Sequence, residues 1–455
     1  MLMGECMFTT REIAEITGGV LCGADVEVGG VSTDTRTIKQ GDLFVAVRGE
    51  SFDGNDFIEK AAENGAAAAI SDRAQGSACA IPVVYVKDSR AAQLKLSRAF
   101  RDRFGVWLCG VTGSVGKTST KDMIHAVLSA KCDTLKTEGN FNNDIGLPKM
   151  LFRLNESFGA AVIEMGMSDL GEISALSKAA HPDCAVITNI GWCHIENLGS
   201  QENILKAKLE ILDGAKEGAA LILNGDDEFL STVTPERAGG RRLVHFGFGA
   251  GNDVRAENIL HTEDGERFEL VADGKRYPAE LNVLGEHHII NALAAFCVGK
   301  EAGMSPEEII PAFLRYEASG MRQKIEQRGD ITVILDCYNA SPTSMNSSLS
   351  VLGRMKTSGR RIAVLGDMLE LGAVSEKLHA KVAEYILDNA DEAFLFGKEM
   401  AACAAALSEK NFPVVHSEDK AALTERLLTE LRGGDCVLFK GSHGMHMEEI
   451  AEKIQ

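Results

Sequence analysis

The segment TGSVGKTS, Thr112 to Ser119, carries the residue types best suited to holding a phosphate. Glycines let a backbone wrap an anion with its amides turned inward, and the positive end of a following helix favours the charge. At this spacing Lys117 is expected to reach the β- and γ-phosphates of a nucleotide, and the Thr118 hydroxyl to hold Mg²⁺. The common phosphate-loop pattern is not fully met, because Val111 and not a glycine stands five residues before Gly116. What remains is Gly113-x-x-Gly116-Lys117-Thr118, with Ser114, Val115 and Ser119 completing the cradle.

A nucleotide-bound Mg²⁺ needs further oxygen donors. Glu164 follows the apolar run AAVI, at a strand end where an open α/β sheet places its ligand crevice. His194 follows CAVITNI and a short GWC turn, and Lys208 lies in ENILKAKLEILDGA (202–215), which reads as one amphipathic helix. Taken singly, each has an ordinary alternative: a solvent-facing acid, a packed or capping histidine, a solvated lysine.

The elements that must position these groups are legible from hydrophobic patterning. VWLCGVTGSVGKTSTKDMIHAVLSA (106–130) reads as strand, glycine-rich turn and helix, followed by strands AAVIEM (160–165), CAVITNI (184–190) and AALIL (219–223). Helical stretches separate them, which predicts a parallel sheet covered on both faces. A third block begins near Gly320, with strands ITVILD (331–336), RRIAVLG (360–366), EAFLFG (392–397) and CVLFKG (436–441). The first hundred residues supply strands LFVAV (43–47) and IPVVYV (81–86) and helices FIEKAAENGA (57–66) and SRAAQLKLSRAFRDRFG (89–105). The expected fold class is α/β in three domains, 1–103, 104–319 and 320–455.

Composition narrows the partners. Among 455 residues, 47 Lys+Arg against 66 Asp+Glu leave a net charge of −19, which argues against a nucleic-acid surface. No apolar run approaches the roughly 18–20 residues of a membrane span. Met1 to Thr10 carries Glu5 and no basic flank before an apolar stretch, so no secretory leader is expected. The 11 cysteines are scattered without a C-x-x-C pair, as expected of free thiols in a reducing cytoplasm.

In order and context, GVTGSVGKTST, VIEMG, TNIGWCHIENLGS and KAKLEI resemble the ATP-dependent Mur ligases of peptidoglycan synthesis, whose general plan the folate polyglutamylating enzymes share. The resemblance implies a small N-terminal uridine-nucleotide domain, a central P-loop ATPase domain and a C-terminal Rossmann-like domain. It implies ATP on the loop and catalytic groups at Lys117, Glu164, His194, Lys208 and Arg322. Thr118, Glu164, His194 and Lys208, the last as a carbamate, would serve two Mg²⁺. VSTDTRTIKQGDLFVAVRGESFDGNDFI (31–58) resembles the uridine-nucleotide domain, with Ser32, Thr35 and Arg36 gripping the UDP-sugar. GNFNNDIGLP (139–148), with Asn140, Asn142, Asn143 and Asp144, is similar to the substrate loop of the branch that adds D-alanyl-D-alanine, and GDMLELG (366–372) matches that branch too. The Asp/Asn-x-Pro-Arg motif of the sibling branch, which adds the third stem residue, is absent from the sequence.

LGEHHIINALAA (284–295) resembles the family's adenine-side motif, with Asn291 retained and His287-His288 in place of the usual His-Asn pair. GMRQKIE supplies Arg322, and DCYNASPTS supplies Asp336, Tyr338 and Asn339 beside the nucleotide; FKGSHGMHMEEI has His443 where arginine is more usual. The implied activity is a cytoplasmic, monomeric ligase joining UDP-N-acetylmuramoyl-tripeptide to D-alanyl-D-alanine through an acyl phosphate, the C-terminal domain closing over ATP. Its partners would be those two substrates and ATP, with no nucleic acid and no membrane. Rival readings are another P-loop enzyme such as a kinase, a non-catalytic relative, the sibling ligase and a folylpolyglutamate-synthase-like ligase.

Overall fold

The computed structural model describes residues 6–49, 51–73, 79–318 and 320–454. The leader reading at Met1 to Thr10 rests partly on residues 1–5, and one expected domain boundary falls at 319; both lie outside the described residues. The chain forms three α/β domains, each built on its own sheet. Among the described residues no helix is long and apolar enough to cross a membrane.

The first sheet has the order 20–22, 83–85, 68–71, 42–45, 30–32, with the outermost 20–22 strand antiparallel and the others parallel. Helix Ser89–Arg101 follows it, started by the Asp88 side chain, which accepts from the amides of Arg90 and Ala91. Its apolar face, Ala92, Leu96 and Phe100, belongs to a core that continues without a break into the central domain through Leu108, Leu147 and Ile173.

The central sheet places the loop-bearing strand Trp107–Thr112 between Ala160–Glu164 and Cys184–Ile187, all parallel. These strands are buried on both faces, which is why they read as continuous Val, Ile, Leu and Ala runs. The patterning predicts a parallel sheet, and the structure departs from it at one edge. Strands Glu266–Ala272 and Lys275–Leu281 extend it antiparallel beyond Val254–His261. They are joined at Asp273-Gly274, both at positive φ (52° and 71°), the backbone that matches a tight hairpin to strand twist. The helix expected over 202–215 is also shorter: it spans Gln201–Leu209 and tightens to a 3₁₀ turn at Glu210–Leu212. The Ser177 hydroxyl donates to the Ile211 carbonyl, and Gly214 passes so close to the Ser177–Lys178 backbone that a Cβ there would not fit.

The C-terminal sheet runs 324–328, 331–336, 436–440, 361–366, 392–396, 414–417, antiparallel only at its first pair. Two separate cores lie on its faces. Helix Pro342–Arg354, capped by Ser341 with proline at its first turn, ends in Arg354, which reaches the central domain. There it donates to Glu286 (2.7 Å) and stands 3.5 Å from Glu266, a carboxylate only 1 % exposed that also accepts the Gly285 amide.

Candidate active site

Thr112 ends its strand and Lys117 begins a helix that runs to Leu128, so the amides of Lys117, Thr118 and Ser119 have no carbonyl within the helix to bind. They form the anion-binding end that the sequence anticipates. The turn between is braced by a second strand end. Asn189 accepts the Val115 amide at its side chain (2.8 Å) and the Ser114 amide at its backbone (3.1 Å), while the Thr188 hydroxyl donates to the Val115 carbonyl (2.6 Å). Gly113 has φ +153°, and a Cβ there would stand 1.8 Å from the Thr188 hydroxyl. Gly113→Ala is therefore expected to push the loop out of shape and lower turnover about 10²-fold, as a misplacement of about 1 Å does elsewhere; coupled measurement of ADP release checks it.

Lys117 Nζ lies over the loop and donates to the Gly113 carbonyl at 2.9 Å. Behind it, Glu164 is 2 % exposed and already holds two donors: the Thr118 hydroxyl at 2.8 Å and the Asn142 amide at 2.9 Å. Parallel register sets Glu164 beside Val111, at the crevice end of the sheet. Lys208 is 2 % exposed, with no hydrogen bond or ion pair among the described residues, so the solvated-lysine alternative fails. Burial, with nearby Lys117 adding, pushes its ammonium well below the ordinary lysine range. His194 opens a short helix at φ 61°, and its Nδ1 stands 2.8 Å from Glu370 of the C-terminal domain.

From the C-terminal domain come Arg322, stacked 3.8 Å over the Tyr338 ring, and Asp336 at a strand end. Asp336 accepts from Lys440 Nζ (2.6 Å) and the Ser348 hydroxyl (2.5 Å). Burial pushes this carboxyl up, but Lys440 and Ser348 outweigh it and hold it below the usual carboxylate range. Lys440, 1 % exposed, also donates to the Asn339 carbonyl. It is committed to its own domain.

The phosphate loop, Glu164, His194, Arg322, Asp336 and Lys440 converge on one cleft of about 720 Å³ between the central and C-terminal domains, whereas Lys208, buried within the electrostatic reach of Lys117, is not part of its lining. Its lining includes Ser114 to Ser119, Glu164, His194, Asn291, Arg322, Asp336, Tyr338 and Asn339, with Asn140, Asn142 and Asn143 at one side. Asn291 sits buried inside helix Glu286–Glu301 and accepts from the Thr120 hydroxyl at 2.8 Å. His288 is buried, its Nε2 3.2 Å from Gln323 and its Nδ1 without a partner.

Asn143 lines the cleft edge while bracing its own loop, whereas Asp144, Ser32, Thr35 and Arg36 do not line the cleft. Asn143 accepts the Ile145 and Gly146 amides and starts the next helix, and Asp144 pairs with Arg90 of the first domain at 2.9 Å. Ser32, Thr35 and Arg36 lie apart on the first domain. Ser32 is bonded to the Asp34 carbonyl and Thr37, Thr35 accepts from Asn64, and Arg36 forks onto Asp34 with its side chain 87 % exposed. Sequence reasoning misses Asn189, Gln323, Arg90 and Glu370. Only Asn189 had a local signal, an amide directly after the strand beside the loop.

Among the described residues no three His, Cys, Asp or Glu side chains form a metal cage. The hydroxyl of Thr118 and carboxylate of Glu164 nevertheless make an all-oxygen pair beside the phosphate loop. That fits Mg²⁺, which retains waters and phosphate oxygens.

Three family models match in chain order: "Mur ligase family, catalytic domain" over 27–101, "Mur ligase middle domain" over 111–299 and "Mur ligase, glutamate ligase domain" over 321–443. The UDP-N-acetylmuramoyl-tripeptide–D-alanyl-D-alanine ligase of Bacillus subtilis is 39 % identical over 461 aligned positions, covering 98 % of both chains. A crystal structure of MurF from Acinetobacter baumannii superposes with a TM-score of 0.91 at 29 % identity, over 98 % of both chains. The MurF ligase of Thermotoga maritima in complex with ADP gives 0.82 at 30 % identity, over 93 % of this chain and 96 % of that one.

Proposed function

Because the chain belongs to the Mur ligase family, we propose that the cleft between its central and C-terminal domains is the catalytic centre of a D-alanyl-D-alanine-adding ligase. The enzyme joins that dipeptide to UDP-N-acetylmuramoyl-tripeptide at the expense of ATP, a step of peptidoglycan synthesis. The observation that carries the site reading is the convergence of the phosphate loop and Glu164 from one domain with Arg322, Asp336 and Tyr338 from another.

A carboxylate resists attack by an amine until it is activated. The tripeptide carboxylate takes the γ-phosphoryl group, forming a C–O–P link as ADP departs; the dipeptide amine then attacks the carbonyl carbon, and phosphate leaves with the electron pair of the C–O bond. Such a transfer is governed by positioning and charge neutralisation. Lys117 and the loop amides hold the β- and γ-phosphates. Arg322, kept planar against Tyr338, covers them from the other domain, and Asn291 lies on the adenine side. Thr118 and Glu164 would hold Mg²⁺, with His194 beside them, and the ion supplies charge neutralisation when bound.

Lys208 fits a carbamate for a physical reason. Burial pushes this ammonium down and so favours its neutral amine, the form that attacks CO₂, forming an N–C bond and releasing a proton. The product offers oxygens where an ammonium had none. Supplying ¹³C-bicarbonate to the purified protein is expected to give a carbamate carbonyl signal that Lys208→Ala abolishes; the same signal in both proteins counts against it.

Ser32, Thr35 and Arg36 are assigned to the uridine end of the precursor, and Asn140, Asn142, Asn143 and Asp144 to the loop that meets the peptide, the last two through the architecture they brace. The working unit is one chain in the cytoplasm, with domains 1–103, 104–319 and 320–455. ADP release is expected only when UDP-N-acetylmuramoyl-tripeptide and D-alanyl-D-alanine are both supplied. ADP formed without the dipeptide favours a kinase, and activity with a single third-stem amino acid favours the sibling branch.

A further inference from the structure

His194 and Glu370 share an unusual property. Both are non-glycine residues in the left-handed region, at φ 61° and 63°. Such a backbone is strained for an ordinary L-residue and persists where the surroundings enforce it. The two come from different domains and meet at 2.8 Å, Nδ1 to carboxylate. The Glu370 loop is held on its own side: the Met368 amide donates to His379 Nε2 and the Leu369 amide to the Ser442 hydroxyl, each at 2.9 Å. Just beyond it Gly372 lies against Glu196, close enough that a Cβ would sit 3.4 Å away. His194 lines the cleft, whereas Glu370 stands outside it.

From this geometry we infer that Glu370 is a positioning residue: by accepting the Nδ1–H of His194 it fixes the ring tautomer and leaves the Nε2 lone pair for the cation side of the cleft. A carboxylate behind a ligating imidazole sets ring orientation and basicity in this way. Because the carboxylate belongs to the C-terminal domain, His194 acquires its competent form only when that domain is docked. The inference rests on the ligase reading of the cleft. It adds to that reading a domain-crossing control of one metal-side residue. The side chain of Glu370 is 62 % exposed, so a mere surface ion pair here contributes little to stability.

The test uses the full chain labelled with ¹⁵N-histidine, the His194 signals being identified by their loss in His194→Gln. The native ring is expected in the Nδ1–H form. Glu370→Gln keeps an acceptor and is expected to keep that tautomer, whereas Glu370→Gly, which also relieves the strained φ, is expected to shift it toward Nε2–H. Mn²⁺ binding in the presence of ADP, followed by electron paramagnetic resonance, is expected to weaken about 10- to 100-fold in Glu370→Gly, the range for outer-shell partners of ligating histidines, and to stay near native in Glu370→Gln. Unchanged tautomer and Mn²⁺ affinity in Glu370→Gly overturn the inference, as does equal loss in both variants. Neither result touches the ligase reading, which stands or falls by the two-substrate ADP assay on the native protein.

Discussion

Lys117→Ala is expected to abolish turnover, lowering it by at least about 10³-fold, as removal of a principal charge partner does in phosphoryl transfer. Nζ sits over the loop and, among the described residues, bonds only the carbonyls of Gly113 and Ser114. Removing it strips positive charge from the phosphates and leaves no buried polar group stranded, so the melting temperature should move little. Coupled measurement of ADP release alongside a thermal melt separates these outcomes. A folded variant that retains native turnover sinks the assignment of the loop as the ATP site.

The second large effect is on stability. Lys440→Met is expected to cost about 3 kcal/mol, because it leaves the Asp336 carboxylate buried without its cation. The pair is 2.6 Å apart, the lysine side chain 2 % exposed and the aspartate 17 %. Asp336→Asn combined with Lys440→Met should recover much of the loss, since the uncompensated charge is then gone. Denaturant unfolding of the two variants and the native chain checks this. The pH dependence has a definite sign. The folded carboxyl lies below its ordinary value, so its stabilisation is complete above the unfolded value, near pH ~4, and is lost as pH falls through the folded one. The double variant should therefore lose stability less steeply in acid.

Much of the cleft was legible from strand ends. Glu164, Asp336 and the phosphate loop all follow apolar runs, and a parallel sheet brings such ends to one edge. Lys208 shows what a pattern cannot tell: a lysine on an amphipathic helix looks solvated, and only tertiary packing reveals a buried, unpaired amine. Asn189 and Glu370 act through contacts distant in the chain, one bracing a loop more than seventy residues away and the other meeting His194 across a domain boundary. The hairpin at Asp273-Gly274 was legible in principle, as Asp-Gly between alternating runs, but the surrounding parallel pattern masked it. The 3₁₀ ending of the Lys208 helix has no local signal, because the contacts made there, at Ile211 and Gly214, are with the distant Ser177.

Three sheets do not make three mechanical parts. The first two domains share an unbroken apolar core and are pinned further by the Arg90–Asp144 pair, whereas the third keeps its own buried cores and joins the central domain through the partly buried Trp192 and Val374 and through the His194–Glu370 and Arg354–Glu286 pairs. Relative motion therefore belongs at the second junction. Across the first, the separation between the Ser32–Arg36 turn and the phosphate loop is fixed like the span of a caliper. On the proposed assignment of Ser32, Thr35 and Arg36 to the uridine end, a precursor held there would present its far carboxylate at one set reach, and a stem that is too short would fall outside it before any contact with the amino acids is made.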